Sequence, residues 1–218
     1  MSSTTLIRWS GLATLLGGSY LILFLLIHPF GELDRPELMQ SPQWVLAHSF
    51  HVVGATVTLL GTVGLYTRQA QGAGCLGLIG FVLAVVGMVF FAGIGMITAF
   101  VQPALAAHTP HMTSTSRRLA KGPLYILPFV LMLMSWMGDP LFGLSIMWVG
   151  VLPRWAGALL ILGALVFFLP PVVVPYVIPF VGALLFGGAL IWLGYALWSG
   201  QAERTRQAEW AADRMPCA

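Results

Sequence analysis

The sequence predicts an all-α protein, a polytopic transmembrane helix bundle of about six spans with both termini in the cytoplasm. Three observations carry that expectation. Of the 218 residues, 58% are hydrophobic and only 8% are charged, with a mean hydropathy of +0.90, a balance that no water-soluble domain of this length sustains. Apolar runs long enough to cross a bilayer recur between turn residues. The few basic residues sit at or beyond the ends of those runs, where membrane proteins place them.

The runs put spans near residues 6–27, 44–66, 76–101, 124–149, 155–168 and 177–198. Together they make one bundle over residues 1–200, with no length left for a separate soluble domain. The first run carries Arg8 near its start and lacks a small-x-small cleavage pattern, so it reads as a retained helix rather than a signal peptide. The fifth is the least regular, because Pro170, Pro171, Pro175 and Pro179 fall where it must end and the sixth begin. Residues 201–218 open as "QAERTRQAEWAADRM", with alternating charge signs and Ala and Trp at helical spacing. They read as a short cytoplasmic amphipathic tail against the membrane surface, and equally as a solvated tail with no partner.

Six spans return the chain to the side on which it starts. That side holds Arg8, Arg68, Arg154, Arg204, Arg206 and Arg214, against Arg35, Arg117, Arg118 and Lys121 on the other, a bias that places both termini in the cytoplasm. The net charge of +3 and isoelectric point near 9.2 reflect this anchoring, and nucleic acid is not among the expected partners. The expected partners are the lipid bilayer and, beyond it, a membrane protein or a second copy of the chain. Cys75 and Cys217 are too few and too far apart in the sequence for a disulfide framework or a paired-cysteine metal motif.

Helix packing is written in small residues, because lipid removes the hydrophobic drive between helices. "RWSGLATLLGG" from Arg8 and "RWAGALLILGA" from Arg154 align without gaps. Each pairs an interfacial Arg-Trp anchor with glycines, Gly11 and Gly17 or Gly157 and Gly163, that admit a neighbouring backbone. In the third span, Gly77, Gly80, Ala84 and Gly87 form one smooth stripe along which a partner helix should lie. In the second span, His48, His51, Ala55, Thr58 and Thr62 line a single polar face, expected to point into the bundle.

Histidine carries the candidate site. His28 closes the first span, His48 and His51 open the second, and His108 and His111 follow the third, so the topology puts all five on the non-cytoplasmic side. Neutral imidazole ligates haem iron and transition metals. His28 with His48 or His51 is the pair best suited to haem b, since axial ligands come from different helices at matched depth. For a metal ion, His48 and His51 would be completed by His108, His111, Glu32, Asp34 or Glu37. The bland account is equally weighted: interfacial histidines often do no more than hydrogen-bond a carbonyl or water.

Asp139, in "SWMGDPLFG", is the other outlier, since an acid in mid-span is costly and marks a functional site by default. Pro140 beside it offers a structural role, with the helix broken there and Asp139 capping its second half. The depth estimate separates Asp139 from the histidines by about half a bilayer. No lysine lies within a span, which excludes a retinal Schiff base, and no glycine-rich phosphate loop or serine elbow occurs.

With "IHP" closing the first helix, "WVLAH" opening the second, "FVQPALAAH" after the third and "VLPRWAGALLILGALV" in the fifth, the chain resembles the small polytopic membrane proteins of the domain-of-unknown-function type found in Chloroflexi and actinobacteria. The resemblance implies a bacterial inner-membrane location and a six-helix bundle, and it transfers no activity and no catalytic residue.

Three functions follow as expectations. The first is a membrane binding or electron-transfer subunit holding haem b or a metal through His28 and His48 or His51. The second is a ligand-free scaffold subunit of a larger complex that docks other helices through the glycine stripe. The third, ranked last, is a membrane hydrolase in which histidine-bound zinc activates water near Ser49 with help from Asp139.

Overall fold

The computed structural model describes residues 3–29, 36–110, 126–169 and 177–200. The second cysteine, the C-terminal tail, His111, Glu32 and Asp34 lie outside them. Every regular element among the described residues is helical: α1 (Ser3–Ile27), the short α2 (Pro36–Met39), the long α3 (Pro42–Met96), a π-helical turn (Ile97–Val101), α4 (Gln102–His108), α5 (Ile126–Val149), α6 (Arg154–Phe167) and α7 (Val177–Trp198).

Four helical stretches are long and apolar enough to cross a membrane: Thr5–Ile27, Pro42–His108, Val130–Val149 and Val177–Trp198. Their outward faces are apolar, with Leu26, Leu60, Val89 and Val177 all more than half exposed, as lipid contact requires. The fifth expected span appears as α6 with 14 residues, about 21 Å of helix, shorter than a hydrocarbon core of roughly 30 Å.

The 67-residue stretch Pro42–His108 would reach about 100 Å if it were straight. It is not. Gly74 takes φ +53° and ψ −158°, a conformation that a residue with a Cβ rarely adopts, and the helix doubles back there. Tyr66 and Phe81 stack with ring centroids 4.3 Å apart, and the Trp44 indole N–H donates to the carbonyl of Thr98 at 2.8 Å. The separate spans expected at 44–66 and 76–101 are therefore the two arms of one helical hairpin, residues 42–73 and 75–96, with no intervening loop. Gly74→Val is expected to cost about 1–3 kcal/mol, because nothing lies within 4 Å of an added Cβ and the penalty is backbone strain alone. Thermal unfolding in detergent reads this, and an unchanged midpoint would refute the strained turn.

Glycines then decide which helices touch. On α1, Gly17 faces Thr58 of α3, while Gly11 and Gly18 meet Gly194 and Gly187 of the antiparallel α7. On α6, Gly157 packs against Gly143 of α5, and Gly163 against Phe186 of α7. The two copies of the Arg-Trp-x-Gly pattern thus each seat a helix between two neighbours. The stripe Gly77, Gly80, Ala84 and Gly87 receives Ser145, Phe142, Gly138 and Ser135 of α5. The partner helix expected along that stripe is α5 of the chain itself.

Arg8 Nε donates to the carbonyl of Trp198 at 3.1 Å, so the start of α1 and the end of α7 share one end of the bundle. Exposed Trp9, Trp155 and Trp198 belong to the same anchor pattern there. At the opposite end, the α1 terminus, the start of α3 and the π-helical turn converge. Ser41 caps α3 by accepting from the Trp44 amide, Gln43 Nε2 donates to the Ile27 carbonyl at 2.8 Å, and Met39, Trp44 and Ala106 form a small apolar lid.

Candidate functional site

The polar face of α3 is buried throughout: His48, His51, Ala55, Thr58 and Thr62 are each less than a tenth exposed. Its hydroxyls are absorbed locally where they can be, as in Thr62 donating to the Thr58 carbonyl at 2.9 Å. The histidines are not so easily accommodated, and they define the site.

His28, at the end of α1, meets His48 edge to face with ring centroids 5.1 Å apart. Phe24, one turn earlier on α1, contacts all three imidazoles, at 5.1 Å to His28, 5.7 Å to His48 and 5.0 Å to His51. Trp44 lies 4.3 Å from His48 and Phe91 lies 4.1 Å from His51. The histidines of two helices thus form one aromatic cluster centred on the Phe24 ring.

Hydrogen bonding distinguishes the members. His48 Nδ1 donates to the Trp44 carbonyl at 2.9 Å, so in the neutral ring Nε2 is left as an acceptor. Neither ring nitrogen of His51 completes a hydrogen bond in the protein, although the Phe91 backbone approaches it and the residue is 6% exposed. A buried polar group in that position costs free energy unless something else pairs with it.

His51 stands between two cavities. The outer one, about 210 Å³, is lined by His48, His51 and Thr98 together with Phe24, Phe91 and Phe180 among other apolar groups. It is bounded by α1, both arms of α3, the end of α6 and the start of α7. The π-helical turn contributes Thr98 to its wall, and irregular turns of this kind commonly mark functional positions. The inner cavity is only about 20 Å³, room for a single water, and its polar walls are His51, Thr58, Ser135 and Asp139.

That placement corrects one expectation. Asp139 does not cap a broken helix, because α5 continues through Pro140 as one element. Asp139 and His51 both line the inner cavity, although Gly138 packs on Ala84 and His51 lies beside Gly95, further along the same arm of α3. Asp139 is 7% exposed.

The haem and metal expectations meet a less favourable geometry. Two axial imidazoles must face each other across a porphyrin, with about 4 Å between the ligating nitrogens, whereas His28 and His48 touch directly and leave no gap for a macrocycle. Among the described residues no group of three or more His, Cys, Asp or Glu is placed to hold a metal ion. His108 is exposed at the end of α4, and the Phe24 ring is in contact with the other three.

Several site residues escaped the reading of the sequence, and they share one signal. Phe24 precedes His28, Trp44 precedes His48 and Ser135 precedes Asp139 by four residues each, the spacing that stacks side chains on one helical face. Thr98 had no such signal, since its role depends on a π-helical turn. A scan against protein-family models and searches of curated proteins and of solved structures give no match to this chain.

Proposed function

We propose that this chain is a six-span integral protein of a bacterial inner membrane, with both termini cytoplasmic, that binds a small ligand at its histidine-lined cavity on the non-cytoplasmic side. One observation carries the reading: His51 is buried, unsatisfied and set at the junction of two cavities. A polar group kept in that state at membrane depth marks a binding site. The neighbouring arrangement supports it, since His48 Nε2 and both His51 nitrogens offer hydrogen bonding along the same wall.

The six-span topology is supported by the hairpin at Gly74, which divides the longest stretch into two crossings, and by the shared location of the α1 start and the α7 end. In this reading α6 is a short crossing completed by its flanking residues. The inside-positive bias of the arginines sets the orientation.

The test is recovery of the ligand. Protein purified in mild detergent is analysed for extractable small molecules by mass spectrometry, for iron, copper and zinc, and by oxidised and reduced absorption spectra. A single species near one per chain in the wild type, and lost in His51→Ala, is the expected result. The same measurements read the haem and metal expectations directly. A wild-type protein carrying no stoichiometric species of any kind would overturn the proposal.

A further inference from the structure

We infer that the ligand of this cavity is a lipid-borne single-ring quinone or quinol, a quinone carbonyl accepting from His51 or quinol hydroxyls donating to His48 and His51, with its tail leaving past Ile94. The inference rests on the binding function proposed above and narrows it to a chemical class.

Size comes first. At about 210 Å³ the outer cavity is smaller than the roughly 300–1,000 Å³ typical of drug-sized ligands, so it admits one ring with its substituents. Shape comes next. Phe24, Phe91, Phe167 and Phe180 supply the greater part of an aromatic wall, and aromatic rings favour stacked or edge-on contact with another planar ring. Neither a saturated chain nor a sugar would draw on that wall in the same way.

Hydrogen bonding then selects the substituents. His48 Nε2 is an acceptor, because Nδ1 is committed to the Trp44 carbonyl. His51 has one donor and one acceptor nitrogen in its neutral form, and neither is used. A ring bearing carbonyl oxygens satisfies the donor of His51, and one bearing hydroxyls satisfies the acceptors of both histidines. Behind His51 the one-water chamber, walled by Ser135, Thr58 and Asp139, gives the remaining His51 nitrogen a polar neighbour through that water.

The route of access fits a ligand dissolved in the bilayer. The cavity wall includes Ile94, which is 37% exposed in a chain region otherwise turned to lipid. Among the described residues, no Lys, Arg, Asp or Glu lines the outer cavity.

The test uses the full-length protein in lipid nanodiscs, with decylbenzoquinone, its quinol and the tail-only alcohol decanol as probes, and binding measured by calorimetry. Saturable binding of the quinone or the quinol near one per chain, without competition from decanol, is expected. His51→Leu should weaken it by about tenfold, or 1.4 kcal/mol. Ile94→Trp, which fills the cavity from its wall and leaves both histidines intact, should abolish it. Competition by decanol at equal strength, or quinone and quinol binding indifferent to both substitutions, would overturn the inference and leave a crevice for acyl chains. Recovery of a different species that is lost in His51→Ala would refute the quinone class while leaving the binding function standing.

Discussion

Gly80→Leu is expected to prevent assembly of the bundle, at a cost above about 3 kcal/mol. A Cβ at this position would stand 2.6 Å from the Phe142 amide nitrogen and 2.8 Å from the Leu141 carbonyl carbon. Both are backbone atoms, so no side-chain rotation relieves the clash, and α5 must be pushed away from α3 along the whole seam. Because lipid is as apolar as leucine, nothing in the solvent compensates for the lost van der Waals contact. Gly93 provides the control. It lies on the same arm with nothing within 4 Å of an added Cβ, so Gly93→Leu should be neutral. Size-exclusion behaviour and thermal unfolding in detergent distinguish the two, and a Gly80→Leu protein with the wild-type midpoint would show that α3 and α5 are not in register as described.

Asp139→Leu is expected to act in the opposite direction, raising stability by about 1–3 kcal/mol. Asp139 is only 7% exposed, so its carboxyl group loses most of its hydration on folding. Leucine replaces it with apolar contact, and the adjoining 20 Å³ chamber gives the larger side chain somewhere to extend. The gain should be accompanied by filling of the chamber behind His51 and by weaker ligand binding. Natural chains retain such costly groups where function requires them. The measurement is the unfolding midpoint of Asp139→Leu against Asp139→Asn, which keeps a polar group in place and should gain less. A fall in the midpoint of the leucine variant would mean that the carboxyl group has a stabilising partner, and the reading of Asp139 as a functional cost would be lost.

Much of the helical layout was legible because it depends on local patterns. The apolar run beginning near Leu6, the polar face from His48 to Thr62 and the small-residue stripe from Gly77 to Gly87 follow from period and composition: the first forms a helix with an exposed apolar face, and the structure buries the other two. The limits of the spans were less legible. The expected gap between residues 66 and 76 is filled by helix up to a single turn at Gly74, since one glycine at positive φ reverses a chain that propensity alone would continue or interrupt more broadly.

The site was half legible. His28, His48 and His51 could be grouped from topology, because three helix ends share one face of the membrane. Their relation to Asp139 could not, since depth counted along separate helices does not tell how those helices tilt and cross. The Phe24 ring was likewise invisible as a residue in contact with all three imidazoles.

By itself the sequence determined a membrane-embedded helical chain, the polar face of the second span and the packing stripe of the third, because solvent and periodicity act on every segment separately. Only the tertiary structure decided that His51 and Asp139 line one cavity and that a second is bounded by α1, α3, α6 and α7. Those depend on how closely particular glycines let backbones approach, a property of pairs of helices that no single segment carries.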